Sequence, residues 1–305
     1  MDWGIHLPHL GRQASGDALI SFAQKAEELG YHSGWVSDHV AWPSDIASRY
    51  PYTPDGSFPA TAGMPWLDPI GTLFFVAGCT RRLKLGSTVL ILGYRPPVLT
   101  AKAIASLDVM SGGRLILGVG VGWMQEEFEV LGMPFDHRGR RGDEQLEVFR
   151  TLFSAERPSF TGEYYRFPPV GFEPKPLNGN VPIWVGGNSE AAYRRAARFG
   201  DALHAAFEPV DTVRHAWARV RELSEAEGRD PSALTLSVRL YLDPKGSMAP
   251  AKSIAGPDEQ MLDTIGTWQE IGVSHVLLDP VAPGGLDGRV AAMEHFITDV
   301  APRVR

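Results

Sequence analysis

Several groups of residues in this sequence have the types and spacing that chemistry needs. Asp38 and His39 stand side by side. An adjacent carboxylate and imidazole can tune a proton donor or acceptor near neutral pH; the competing reading is a structural histidine whose hydrogen bonds are satisfied. Gly118-Val119-Gly120-Val121-Gly122-Trp123 ends an apolar run in alternating glycines. Missing side chains there let a flat ligand approach the backbone, or let the strand pack closely on a neighbour. The run is not a dinucleotide fingerprint, because GxGxxG needs glycine where Trp123 stands and no acidic ribose partner is suitably spaced. Gly186-Gly187-Asn188-Ser189 follows a second apolar run and opens a helical pattern. Unpaired N–H groups and the positive end of the helix dipole suit an anion at such a junction, although Asn188 or Ser189 could serve only as the cap. His6 and His9 invite a metal reading. Residues three apart on a strand point to opposite faces, and no carboxylate-rich motif accompanies them, so no metal site is expected.

These groups act together only if the fold brings them to one rim. The chain repeats one kind of unit, a short apolar or β-branched run followed by a turn and a helical pattern. Eight strand candidates fall at residues 3–7, 34–37, 83–90, 114–119, 181–185, 202–206, 235–242 and 275–278. Leu19, Phe22, Ala26 and Leu29 share a helical face, as do Val213, Trp217 and Val220, and Val290, Met293, Ile297 and Val300. Asp68-Pro69 reads as an N-cap followed by proline in the first turn. Strands alternating with helices require a parallel sheet. Eight unbroken units favour a closed (β/α)8 barrel in a single domain over residues 1–305, against an open doubly wound sheet with a small second domain. Residues 40–67 and 159–180 interrupt the repeat. Each is rich in proline and aromatic residues, and the second contains a candidate hairpin over 160–167. Both are expected to cover the C-terminal mouth of the barrel.

Composition narrows the classes. The 305 residues are 44% hydrophobic and 21% charged, an ordinary globular balance. A formal charge of −7 gives no electrostatic reason to expect nucleic acid or an anionic membrane as partner. The single cysteine, Cys79, excludes an intrachain disulfide and cysteine-based zinc sites. No leader pattern or membrane-length apolar run is visible, so a cytoplasmic protein is expected.

Taken together, the sequence resembles the luciferase-like family of flavin- and deazaflavin-dependent oxidoreductases. The likeness is carried by Trp35-Val36-Ser37-Asp38-His39-Val40, Leu85-Gly86-Ser87-Thr88-Val89-Leu90, residues 107–123, residues 138–147, and Pro182-Ile183-Trp184-Val185-Gly186-Gly187-Asn188. Tyr50-Pro51-Tyr52 with Asp55-Gly56, and the glycine run ending at Trp123, are most similar to the branch that uses coenzyme F420. The resemblance implies a barrel binding a tricyclic ring at its C-terminal mouth, over a third strand bulged by a non-proline cis peptide at Thr88-Val89. It implies that Gly120, Val121 and Gly122 approach the ring or its side chain, and that Gly186, Gly187, Asn188 and Ser189 receive the phosphate. His39 is then the expected proton donor, with Asp38 orienting it or binding the ring edge. Trp42, Trp66 and Trp123 are candidate pocket walls. Two departures stand out: Trp123 replaces a glutamate of the sugar-phosphate dehydrogenase branch, and Gly200-Asp201-Ala202-Leu203 lacks a tryptophan common in relatives.

The implied activity is hydride transfer between reduced F420 and a small organic substrate, apolar by expectation, in a homodimer. FMN-dependent monooxygenation on the same fold is the alternative, and a cofactor-binding protein without turnover is a third reading. Arg194 and Arg198, four apart on the helix after the phosphate junction, are candidate cations for the acidic F420 tail, with Arg195 pointing aside and a solvated charged face as the plain alternative.

Overall fold

The computed structural model describes residues 1–304. Its strands are β1 (Asp2–His6), β2 (Ser33–Val36), β3 (Lys84–Ser87), β4 (Leu90–Ile91), β5 (Leu115–Gly120), β6 (Phe160–Thr161), β7 (Arg166–Phe167), β8 (Ile183–Gly186), β9 (Ala202–Ala206), β10 (Thr235–Asp243), β11 (Ser253–Ala255) and β12 (His275–Pro280). The helices are α1 (Gly16–Glu28), α2 (Pro69–Cys79), α3 (Pro97–Ser111), α4 (Gln125–Val130), α5 (Arg138–Ser154), α6 (Glu190–Phe199), α7 (Val210–Ala226), α8 (Asp258–Glu270) and α9 (Gly285–His295). In the order β1-β2-β3-β5-β8-β9-β10-β12 the strands pair in parallel, and β12 returns to β1. This closes the (β/α)8 barrel expected from the eight repeats. Asp68 caps α2 by accepting from the Gly71 N–H at 2.7 Å, with Pro69 in the first turn, and β6 pairs β7 in the expected hairpin.

Three details differ from the sequence reading. Residues 83–90 do not form one strand: β3 stops at Ser87, the Thr88-Val89 peptide is cis, and the chain resumes as β4 against β5. A short strand, β11, extends the sheet beside β10. Of the two insertions, residues 40–67 cover the barrel mouth, but residues 159–180 do not. They precede β8 and pack along α5, where the Glu144 carboxylate accepts from the N–H groups of Glu163, Tyr164 and Tyr165. None of them lines the mouth cavity.

The inside of the barrel is built around Trp35. Its ring stacks on His204 at 5.3 Å, lies 5.1 Å from Trp184, and its Nε1 donates to Ser33 Oγ at 2.8 Å. A Cβ on Gly86 would fall 2.2 Å from this ring, so glycine there makes room for the indole. Buried Ser33, His275, Ser237, His204 and Thr88 form a continuous hydrogen-bonded chain across the interior, at 2.8–3.0 Å per link. Burial holds both histidines neutral: it lowers His204 to about 3 and takes His275 well below the usual range. This chain satisfies polar groups that would otherwise be buried unpaired.

Candidate active site

The C-terminal mouth holds a cavity of about 820 Å³. Its walls include Ser37, Asp38 and His39 after β2, Thr88, Val89 and Ile91 around the cis peptide, and Gly120 to Trp123 at the end of β5. Gly186 to Ser189 after β8 and Arg239 of β10 also contribute, while the first insertion closes the top with Tyr50, Tyr52, Phe58 and Trp66. The fold therefore gathers Asp38, His39, Thr88, Val89, Gly120 to Gly122 and Gly186 to Ser189 around one cavity, at the end where barrel enzymes carry their chemistry.

His39 is oriented by a residue the sequence reading did not name. Its Nδ1 lies 2.6 Å from Oε2 of Glu127 on α4. Glu127 is fully buried and also accepts from Tyr94 Oη at 2.8 Å and from the N–H groups of Val40 and Ala41 at 2.6 and 3.2 Å. Burial alone would raise this carboxyl, but the hydrogen bonds and charge of His39 and the neighbouring donors outweigh it and hold the group below the usual glutamate range. An ionised carboxylate only accepts, so Nδ1 carries the proton and Nε2 is the nitrogen left for a reacting group. Nothing in the spacing of residues 39 and 127 signals this pair; Gln125-Glu126-Glu127 reads in sequence as an ordinary acidic first turn.

Asp38 does not orient His39, which removes the first of the two roles expected of it. Its two oxygens accept from Arg95 at 2.7 and 3.0 Å, and Oδ2 also accepts from the Ile91 N–H at 2.9 Å. Arg95 reaches on to Asp68 at 2.8 Å. The acid thus ties the end of β2 to the chain just after the cis peptide and to the start of α2.

The glycines of β5 and β8 are explained by packing as well as by access. A Cβ on Gly118 would meet the Ser87 carbonyl oxygen at 1.8 Å. Cβ atoms on Gly120 and Gly186 would meet the Val89 methyls at 2.6 and 2.9 Å. Val89 is therefore wedged between two strands, and the bulge needs both glycines. At the start of α6, Ser189 Oγ accepts from Ala192 N at 3.3 Å, so it is a cap, and Asn188 Nδ2 donates to Glu208 at 2.7 Å. The remaining first-turn N–H groups of α6 are of the kind a helix leaves unpaired.

For Arg194 and Arg198 the plain reading of a solvated charged face holds, whereas Arg195 does not point aside. Arg194 and Arg198 are exposed and spent on Glu190 and Glu147. Arg195 is buried, lines the cavity and pairs with Asp143 at 2.6 Å. Arg138, at the first turn of α5, also lines it and donates to the Gly122 carbonyl at 3.1 Å, with no carboxylate partner among the described residues. Trp66 and Trp123 are wall residues, whereas Trp42 stands behind His39 at 5.6 Å and does not reach the cavity. His6 and His9 do meet, with rings 5.0 Å apart, because the chain leaves the strand after His6 and folds back. Both are bound to Ser37, and burial lowers His9 to about 4. Among the described residues no three His, Cys, Asp or Glu side chains are grouped to hold a metal ion, and no helix is long and apolar enough to cross a membrane.

Known proteins resemble this chain in sequence or in fold. The chain is 39% identical to an uncharacterized protein of Mycobacterium tuberculosis over 210 residues, 69% of this chain and 72% of that one. It is 35% identical to an F420-dependent glucose-6-phosphate dehydrogenase of Nakamurella multipartita over 190 residues, 61% of this chain and 50% of that one. Among solved structures, an F420-dependent secondary alcohol dehydrogenase superposes over 100% of this chain and 99% of its own, with a TM-score of 0.81 at 19% identity. The EDTA monooxygenase of Chelativorans superposes over 99% and 92% with a TM-score of 0.80 at 17% identity, a likeness of fold. The profile of the luciferase-like monooxygenases matches residues 4–255, so by sequence as well as by architecture this chain is a member of that family of oxidoreductases.

Proposed function

We propose that this protein is an F420-dependent oxidoreductase that moves a hydride between the deazaflavin and a small organic substrate, with His39 as the proton donor or acceptor. The observation that carries the reading is the His39–Glu127 pair: an imidazole held by a buried carboxylate through Nδ1, with Nε2 left for the cavity. Residues on the other side of the cavity fit a phosphate-bearing cofactor. The first turn of α6 offers N–H groups, and Arg138 brings a cation that no carboxylate neutralises among the described residues. Gly120, Val121, Gly122, Gly186, Gly187, Asn188 and Ser189 would hold the cofactor on this side, with Thr88 and Val89 beneath its ring.

A reduced deazaflavin supplies two electrons as hydride when bound. The chain's own part is to position the substrate, exclude water with Tyr50, Phe58, Trp66 and Trp123, and present the proton at Nε2 of His39. Glu127 fixes the tautomer and steadies the charge that ring takes on. Similarity to the Nakamurella enzyme at 35% identity favours F420 over FMN. A cytoplasmic homodimer goes with this proposal as its expected working unit; Phe75 of α2 and Leu99 and Met110 of α3 are large apolar side chains exposed on the helices. Titrating the purified protein with F420 and with FMN, followed by cofactor fluorescence at low and high ionic strength, tests the assignment. Tighter binding of F420 supports it, and tighter binding of FMN under both conditions overturns it in favour of a monooxygenase.

A further inference from the structure

Four arginines line the cavity: Arg138, Arg195, Arg239 and Arg289. Two are neutralised, Arg195 by Asp143 at 2.6 Å and Arg239 by Asp279 at 2.5 Å. The carboxylate of Asp38 is taken by Arg95. Arg138 and Arg289 remain without a carboxylate in ion-pair contact among the described residues, although Arg289 feels the charge of Asp279, which Arg239 already holds. Arg138 stands after β5, the fourth strand of the barrel, and Arg289 after β12, the eighth, so they lie on opposite sides of the axis. One phosphate beside Arg138 and α6 cannot also serve Arg289.

Arg289 is built into its place. Its Nη2 donates to the His6 carbonyl at 2.8 Å, its Nη1 has only a 3.5 Å contact to Gln13, and its guanidinium lies 5.2 Å from the Phe22 ring centre. Arg239 converges on the same spot, donating to Ser37 Oγ, which also binds His6 Nε2. The Nε atoms of both arginines are buried without a hydrogen-bond partner. His6 adds no charge, since burial and the two arginines hold it neutral. The pole made by Arg239, Asp279, His6 and Arg289 therefore carries one net positive charge. Both arginines are half-buried, and a cation partly removed from water gains from a charged partner. Beside it, with Trp66 Nε1 donating to the Ser37 carbonyl at 3.1 Å, the aromatic wall of Tyr50, Phe58, Trp66 and Trp123 packs ring on ring at 5.1–6.4 Å and offers an apolar surface.

We propose that Arg289, with Arg239 beside it, binds the carboxylate of the organic substrate, whose apolar body lies against this aromatic wall. The substrate class is then a small hydrophobic acid rather than a wholly apolar molecule. The proposal rests on the reading of the cavity as an oxidoreductase site.

The test compares benzoate, phenylacetate and 3-phenylpropionate with their neutral amides, binding to the full chain, by tryptophan fluorescence and calorimetry. At least one acid is expected to bind about tenfold or more tightly than its amide, the equivalent of one charge-assisted hydrogen bond. In Arg289→Gln that preference falls to about twofold or less, and in Arg289→Lys much of it is retained. If no acid outbinds its amide in the wild type, or if the preference survives Arg289→Gln, the proposal is overturned. A separate F420 and FMN titration of Arg289→Gln should match the wild type within about threefold; a tenfold loss would assign Arg289 to the cofactor and also overturn it. Failure of the cofactor assignment itself reads as no binding of either cofactor to the wild type, an outcome independent of the acid–amide comparison.

Discussion

His39 Nδ1 and Glu127 Oε2 stand 2.6 Å apart, joining the end of β2 to α4 across the rim of the barrel. Replacing His39 with alanine is expected to leave cofactor affinity within a few-fold and to lower turnover by roughly 10²–10⁴, the usual range for losing an acid–base group. Glu127→Gln keeps a hydrogen-bond acceptor but loses the charge, and should lower kcat more than KM while changing the pH profile. Steady-state kinetics over pH with both variants check this, and an unchanged profile in Glu127→Gln would reduce Glu127 to a packing role.

Gly120→Ala should destabilise the protein by about 1–3 kcal/mol, the ordinary cost of overpacking, because its Cβ would fall 2.6 Å from a Val89 methyl. Adding Val89→Ala should recover much of the loss. Thermal unfolding of both single variants and the double variant measures the coupling, and additive losses would refute the wedge.

Phosphate recognition is expected to depend on Arg138 and not on Arg194. Arg138→Gln should weaken binding of F420 and of FMN by about tenfold, as losing one charge-assisted contact does, while Arg194→Gln, whose charge Glu190 already holds on the surface, should leave it unchanged. Paired cofactor titrations decide between them.

Acid should weaken the fold in a defined window. Burial lowers His9 to about 4 and His204 to about 3, and carries His6 and His275 in the same direction. The unfolded chain binds these protons first, near pH 6.5, so the stability they contribute is full above that value and is lost as pH falls toward 4 and 3. For His9 alone this amounts to about 3 kcal/mol. Tm should therefore fall steadily from pH 7 to pH 4, and His204→Gln should flatten the slope. A Tm that is level across that range would contradict the assignment of neutral buried imidazoles.

The sequence by itself determined what depends on neighbours along the chain. Alternating strand and helix patterns imposed a parallel barrel, Asp68-Pro69 marked a helix start, and residues 160–167 marked a hairpin. Strand ends fall on one rim of a parallel barrel, so Asp38, His39, Gly120 and Gly187 had to meet around one mouth. Tertiary structure alone decided which groups touch. Glu127 lies 88 residues from His39, and Arg95, not His39, claims Asp38. Helical spacing paired Arg194 with Arg198, but the fold turns Arg195 inward, because the face of α6 that packs on α5 is set by contact rather than by period. Likewise the alternating glycines admitted two readings, since an absent side chain leaves no trace of what fills its place. Only the folded chain puts the Val89 methyls there.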